Sequence, residues 1–305
     1  MGSRNLLTGR RRPAAPGEAQ RGPGYRVVPQ SRARRMMAAV LDAYGKRHLM
    51  VALTEADVTV PRRLMREHAA RTGEKLSLTA YVVVCVARAV AAHPELNVLA
   101  RGHKLYLFDD VTVMTNVDRS PAGERIAEVL SVRAADKKSC RQVHDEIRAA
   151  QARGDEPAGA LAGARWVRFI PTVLLRAFFR FVAHDPRWAK RYGVVLVSNV
   201  GRFGSGPGWG VPPGGPTLVV TVGGIGERPV GAGLEPREHL CLTLSFDHDL
   251  IDGAPAAEFT SRFVALLESG DLLRDAVAPE HAVDRNVPTP DPGAGTSADG
   301  TGSPL

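Results

Sequence analysis

From Leu240 to Phe246 every second residue is a large apolar one, Leu240, Leu242, Leu244 and Phe246, with Cys241, Thr243 and Ser245 between them. Side chains of a β-strand point alternately to its two faces, so this spacing requires a strand with one face buried against a core. The strand runs directly into "DHDLIDG", and "APAAEFTSRFVALLES" behind it has the apolar spacing of an amphipathic helix. Any fold for this chain must therefore supply a sheet with a covered face and a sharp strand-to-helix connection at Asp247–Gly253.

Two more β-rich runs, "GVVLVS" and "TLVVTVG", lie upstream. "HLMVALTEADV" reads as extended and "KLYLFDDVTVMTNVD" as a pair of strands. Helices are expected at "SRARRMMAAVLDAY", at "PRRLMREHAART" with Pro61 at its start, and at "SLTAYVVVCVARAVAAH", which is apolar enough to be largely buried. Ser139 and Gln142 have capping-box spacing for "SCRQVHDEIRAAQAR". Pro171 to about Ala183 reads as an amphipathic helix that could pack on the core, cover a substrate or lie on a membrane surface; packing on the core is the preferred reading. The elements alternate irregularly, which indicates an α/β (α+β layered) class with a mixed sheet covered by helices rather than a strict βαβ repeat.

Charge needs locating before it is interpreted. The formal net charge is +8, but residues 1–35 hold nine arginines against the single acid Glu18, so the remaining chain is balanced. A basic, Pro- and Gly-containing leader reads as a solvated tail, and no nucleic-acid partner is expected. The expected organisation is a disordered basic leader over 1–24, a catalytic domain over 25–275 and a disordered Pro/Gly/Ser/Thr-rich tail over 276–305. No signal peptide or membrane span is expected; the most apolar stretch, near 165–188, is broken by Arg168, Pro171, Arg176 and Arg180. Cys85, Cys140 and Cys241 are odd in number and far apart, and they read as reduced thiols of a cytoplasmic protein.

The chemistry centres on His248. Placed just past a rigid strand, an imidazole with an ordinary pKa near 6.5 can take a proton from an attacking hydroxyl or thiol. Asp252 can fix the loop by capping the following helix or by pairing with an arginine. A metal site is not expected, because Asp247, His248, Asp249 and Asp252 offer one imidazole among carboxylates, with no second His or Cys at ligand spacing.

"LSFDHDLIDGAPAAEF" resembles the signature L-S-x-D-H-R-x-x-D-G of the catalytic domain of 2-oxo acid dehydrogenase acyltransferases, the E2 components, a family that shares its fold and its H-x-x-x-D-G motif with chloramphenicol acetyltransferase. "VLVSNVGRFG" is similar to the family's T-I-S-N-L-G-x-F-G segment, "AAHPELN" to its F-P-x-L-N turn, and "AADKKSCRQVHDEI" falls in the family's order; the likeness covers roughly 26–273. It implies a chloramphenicol acetyltransferase-like fold, His248 as general base, Ser198 as donor to the tetrahedral oxyanion, and Asp252 orienting the loop, with an arginine from the 32–35 region as partner. It also implies a homotrimer with the site in a channel between subunits, His248 and Ser198 coming from different chains.

Three departures from the pattern bear on function. No lipoyl domain is expected in 305 residues, Asp249 stands where the family has arginine, and residues 153–190 replace a short connection. They favour a stand-alone acyltransferase with no covalently bound cofactor, using acetyl-CoA or another acyl-CoA, or an acyl carrier protein thioester, as donor and a small-molecule hydroxyl as acceptor. Stand-alone members of the family that O-acetylate hydroxymethyl tetronate intermediates in antibiotic biosynthesis are similar. The alternatives are an E2 subunit that works in trans on a separate lipoyl domain, and a non-catalytic trimeric scaffold.

Overall fold

A helix built from Val, Ala, Tyr and Cys has no polar face to give to water, and Leu78–Ala92 accordingly runs through the middle of the molecule, with Tyr81–Ala87 all buried. Ser77 starts it: its side chain accepts from the Ala80 N–H at 3.3 Å, satisfying one of the donors a helix start leaves free. Tyr81 turns its one polar atom to use by donating toward the carbonyls of Leu266 and Leu267 at 3.0 and 2.8 Å, while the Gly270 N–H donates to it at 3.2 Å.

The computed structural model describes residues 20–277 except 23, 28–29, 31, 46, 120–125, 154–169, 202–203 and 232–234. Most of the expected leader, 1–19, and nearly all of the expected tail, 278–305, lie outside the described residues. Along the chain the strands are β1 (Gln20–Gly22), β2 (Tyr25–Val27), β3 (Leu49–Asp57), β4 (Val98–Arg101), β5 (Lys104–Leu107), β6 (Val113–Arg119), β7 (Ile126–Val132), β8 (Val195–Asn199), β9 (Leu218–Val230) and β10 (Glu235–Asp247). The helices are α1 (Arg32–Tyr44), α2 (Thr59–Thr72), α3 (Leu78–Ala92), α4 (Cys140–Ala152), α5 (Thr172–Ala183), α6 (Pro186–Tyr192), α7 (Gly253–Ser269) and α8 (Asp271–Val277). The hairpin β1–β2 crosses the boundary expected at residue 25.

Six strands form the main sheet in the order β3-β10-β9-β8-β6-β7. It is mixed, as expected: β8 runs parallel to both β6 and β9, and the other pairings are antiparallel. The two strands read in "KLYLFDDVTVMTNVD" exist but are not partners, since β5 pairs with β4 in a separate hairpin. One face of the main sheet carries Val195, Val197, Val220, Val222, Leu240, Leu242, Leu244 and Phe246 into the core with α3 and α7. Phe259 meets Phe246 edge-on at 6.0 Å and stacks on Phe263 at 6.1 Å. Each such ring buried is worth about 1.5–3 kcal/mol of transfer free energy, so α7 is held by its aromatic stripe. The capping box at Ser139 and Gln142 forms as read, with Ser139 N–H donating to Gln142 and the Gln142 N–H to Ser139.

The opposite face carries Ser198, Thr221, Thr243, Ser245 and Asp247. A bulge between Leu240 and Leu242 sets Gly223 and Gly224 opposite Cys241, and the glycine-rich segment from Gly204 to Gly210 lies on it. Contact there is backbone on backbone: a Cβ on Gly223 would sit 2.1 Å from the Gly208 carbonyl oxygen, and one on Gly224 1.9 Å from that of Gly206. This clamp fixes the chain that leaves Ser198. Cys85, Cys140 and Cys241 are all buried and unpaired, and burial pushes the Cys140 thiol up to about 12. No helix among the described residues is long and apolar enough to cross a membrane.

Candidate active site

His248 follows the last residue of β10 and opens the turn His248–Leu250. The turn is fixed by its backbone: Leu250 and Ile251 N–H both donate to the Asp247 carbonyl at 3.0 Å, and the His248 N–H donates to the His48 carbonyl at 2.7 Å. The imidazole itself is exposed, at the end of a sheet strand and free to approach a bound molecule.

Under the turn lies an ion pair that the sequence did not reveal. Arg47 Nη1 donates to Asp247 Oδ2 at 2.6 Å, with the two side chains 10% and 4% exposed. The other carboxylate oxygen of Asp247 accepts the Asp249 N–H at 3.2 Å, and the guanidinium lies over the Tyr44 ring at 5.2 Å. Arg47 is 200 residues from its partner and belongs to no periodic pattern, so nothing in the sequence singled it out.

Asp249, which stands where the family pattern has arginine, has a partner of its own. Its carboxylate lies 2.8 Å from His48 Nδ1. The hydrogen bond raises the His48 pKa and lowers that of Asp249, the attraction between the charges acting in the same directions. The loop is thus braced from both sides by the consecutive residues Arg47 and His48, with the signs of charge at position 249 reversed from the family pattern.

Asp252 occupies the N-cap position of α7 with extended backbone angles, and its carbonyl accepts the Ala256 N–H at 3.2 Å, but its carboxylate makes no capping hydrogen bond. An arginine does reach this loop, Arg47, and its partner is Asp247. Among the four residues weighed as metal ligands, Asp247 is already engaged by Arg47 and Asp249 by His48. A second cluster, Glu74, His144 and Asp145, brings three ligand atoms within 4.8 Å, and there Glu74 is held by Arg141 at 2.5 Å.

Ser198 sits near the end of β8, where its Oγ accepts from Asn116 Nδ2 on the adjoining β6 at 3.2 Å. Being an acceptor in that contact leaves its hydroxyl proton to donate elsewhere. Across the sheet Ser198 aligns with Thr221, and Thr221 with Thr243. His248 is five residues beyond Thr243 along β10, so at about 3.4 Å per residue and about 4.8 Å between strands the two candidates stand roughly 20 Å apart in one chain. A single carbonyl needs base and donor both near 3 Å. One chain therefore does not bring His248 and Ser198 together.

The comparisons with known proteins bear on this geometry. Residues 22–160 and 191–274 match the family model for 2-oxoacid dehydrogenases acyltransferase (catalytic domain). The chain is 28% identical over 233 residues to the dihydrolipoyllysine-residue acetyltransferase component of the pyruvate dehydrogenase complex of Staphylococcus aureus, a match covering 70% of this chain and 43% of that protein. It is 26% identical over 226 residues to the lipoamide acyltransferase component of the branched-chain alpha-keto acid dehydrogenase complex of Bacillus subtilis, covering 72% and 46%. The match thus spans less than half the length of either relative. Among solved structures, the probable dihydrolipoamide acetyltransferase of Listeria monocytogenes superposes with a TM-score of 0.59 at 21% identity, over 81% of this chain and 95% of that one. The truncated catalytic core of the 2-oxoacid dehydrogenase multienzyme complex of Thermoplasma acidophilum superposes with a TM-score of 0.60 at 20% identity, over 80% and 99%.

Proposed function

The chain belongs to the family of 2-oxoacid dehydrogenase acyltransferase catalytic domains, and on that premise we propose that it moves an acyl group, acetyl in the simplest case, from CoA to the hydroxyl of a small molecule. The observation that carries the reading is His248, exposed on a turn held by Arg47 and His48, in the family's H-x-x-x-D-G setting. In the proposed step a ring nitrogen of His248 takes the proton of the acceptor hydroxyl as its oxygen attacks the thioester carbonyl. The tetrahedral oxyanion accepts the Ser198 hydroxyl proton as a hydrogen bond, then collapses with loss of the CoA sulfur, which recovers the proton from the imidazolium. Ester and free CoA are the products, and the histidine ends neutral as it began.

Because one chain holds the two groups roughly 20 Å apart on strand spacings, the proposed unit is a homotrimer whose sites lie between chains. The proposed acceptor type is a hydroxymethyl tetronate. The relatives' own names favour a second reading, in which the donor is an acylated lipoyl domain on another protein.

The test is release of free CoA from acetyl-CoA with candidate alcohols, with product mass by spectrometry. His248→Ala is expected to lose about a hundredfold or more in turnover, the usual worth of a general base, with the melting temperature little changed because the ring is exposed. Mixing inactive His248→Ala with inactive Ser198→Ala chains under exchange should restore part of the activity. A folded His248→Ala variant with full turnover overturns the mechanism; activity with an acylated lipoyl domain and none with CoA moves the donor to a protein.

A further inference from the structure

Residues 161–190 lie between the two stretches that the family model matches, and the described part of them builds a wall. α5 packs along α1, with Arg176 Nε 2.5 Å from Asp42, and α6 follows after Asp185, whose side chain accepts the Arg187 N–H at 2.9 Å. Together with the sheet end they enclose a cavity of about 280 Å³, walled by Val40 and Tyr44 from α1 and by Phe178, Phe179, Trp188 and Tyr192. The aromatic wall is pre-assembled: Phe178 meets Phe179 and Trp188 edge-on at 5.5 and 6.5 Å, and Trp188 stacks on Tyr192 at 5.5 Å with the planes 7° apart.

The cavity reaches the strand end that carries the candidate base, although His248 itself is not in its lining. Arg47 and Thr217 both line it, and both bind Asp247, the residue before His248: Arg47 through the 2.6 Å ion pair, Thr217 through its carbonyl, which accepts the Asp247 N–H at 3.0 Å. Among the described residues Arg47 is the one charged side chain in the lining, and its charge is met by Asp247. A cavity with no free charge and an aromatic wall gives nothing to phosphates or carboxylates and favours an uncharged apolar body.

We infer that this cavity, walled in part by the segment between the two matched stretches, holds the apolar part of a reacting molecule: a neutral hydrocarbon or aromatic body of about eight to ten non-hydrogen atoms, given roughly 30 Å³ for an atom the size of water. The inference rests on the acyltransferase reading for the word "reacting", while occupancy of the cavity does not. Such a body belongs either to the acyl chain of the donor or to the acceptor alcohol, and the chemistry the cavity selects is the same for both.

Two series of probes test it, linear acyl-CoAs from acetyl to dodecanoyl and linear primary alcohols of the same lengths, with binding followed by calorimetry and by the fluorescence of Trp188. In the series that uses the cavity, affinity should rise about three- to fourfold per methylene and level off near eight to ten carbons. The other series should stay nearly flat, which tells donor from acceptor. Ala183→Phe, which puts a ring into the cavity from the end of α5, should lower the length at which affinity levels off; Phe178→Ala, at a half-exposed position, should raise it. Flat affinity in both series, or an unchanged levelling length in folded Ala183→Phe and Phe178→Ala variants, overturns the inference. Because binding is read without turnover, length-dependent binding with no CoA release would count against the acyltransferase reading alone.

Discussion

Replacing Arg47 by Met removes the cation beneath the His248 turn while keeping much of the side chain's length. Asp247 would then hold a carboxylate that is 4% exposed with no counter-charge, its remaining partner being the Asp249 N–H at 3.2 Å. Removing one member of a buried ion pair costs about 3–5 kcal/mol; the surviving hydrogen bond places this case near the lower figure, about 3 kcal/mol. For a domain of this size about 2–4 °C is lost per kcal/mol, so the melting temperature should fall by about 6–12 °C. The denaturant midpoint should fall with its slope unchanged, and protein concentration must be held fixed because any subunit association adds to apparent stability. Removing both charges, in Arg47→Met/Asp247→Leu, takes away the uncompensated carboxylate and should recover stability to within about 1 kcal/mol of the original. Turnover should not recover fully with it, since the Asp249 N–H then loses the Asp247 carboxylate and the turn keeps only its backbone bonds and the His48 contact. A single variant as stable as the parent, or a double variant as unstable as the single, would refute the reasoning.

The glycine clamp should be intolerant at one point and tolerant nearby: Gly223→Ala is expected to cost about 2–3 kcal/mol or more by overpacking, whereas Gly204→Ala, whose Cβ would meet nothing within 4 Å, should change the melting temperature by a degree or two at most. For His48, an imidazole titration by NMR should give a midpoint above the ordinary value near 6.5, returning toward it in Asp249→Asn, because the Asp249 hydrogen bond raises it. The sign of the linked stability follows: the raised His48 contributes fully below about pH 6.5 and loses its contribution as pH climbs through the folded value, and the lowered Asp249 contributes above about pH 3.9 and loses it as pH falls through its own. The pair should therefore brace the loop most firmly between those limits, and hydrogen exchange of the Asp249 and Leu250 amides should be slowest there.

What could be read from residues alone was what depends on near neighbours. The alternation Leu240–Phe246, the apolar surround of α3 and the box at Ser139 and Gln142 all encode local geometry, and each appears as read. The strands β9 and β10 run well past their apolar cores, over Glu227–Val230 and Glu235–His239, because each supplies the other's backbone partners whatever its side chains are. α6 hides in seven residues, too few to show a period. His248 and Ser198 were legible through motif and spacing, but Arg47, His48 and Asn116 act through partners 200, 201 and 82 residues away, a relation that only the folded chain creates.

The sheet order also sets a timetable for synthesis. Among the described strands β3 lies at the edge and hydrogen-bonds only β10, with Leu49 opposite Asp247 and Asp57 opposite His239. At about 5–20 residues per second, Leu49–Asp57 leaves the ribosome about 10–40 s ahead of the strand it needs. For that interval its ladder of amides and carbonyls, together with Val51 and Leu53, which remain partly exposed even in the folded chain, is an open template for other strands. Nascent chains stalled before Glu235 should accordingly be bound by chaperones or degraded, and a second domain fused after Val277 should not relieve the delay, because the partner strand is already inside the chain and simply arrives last.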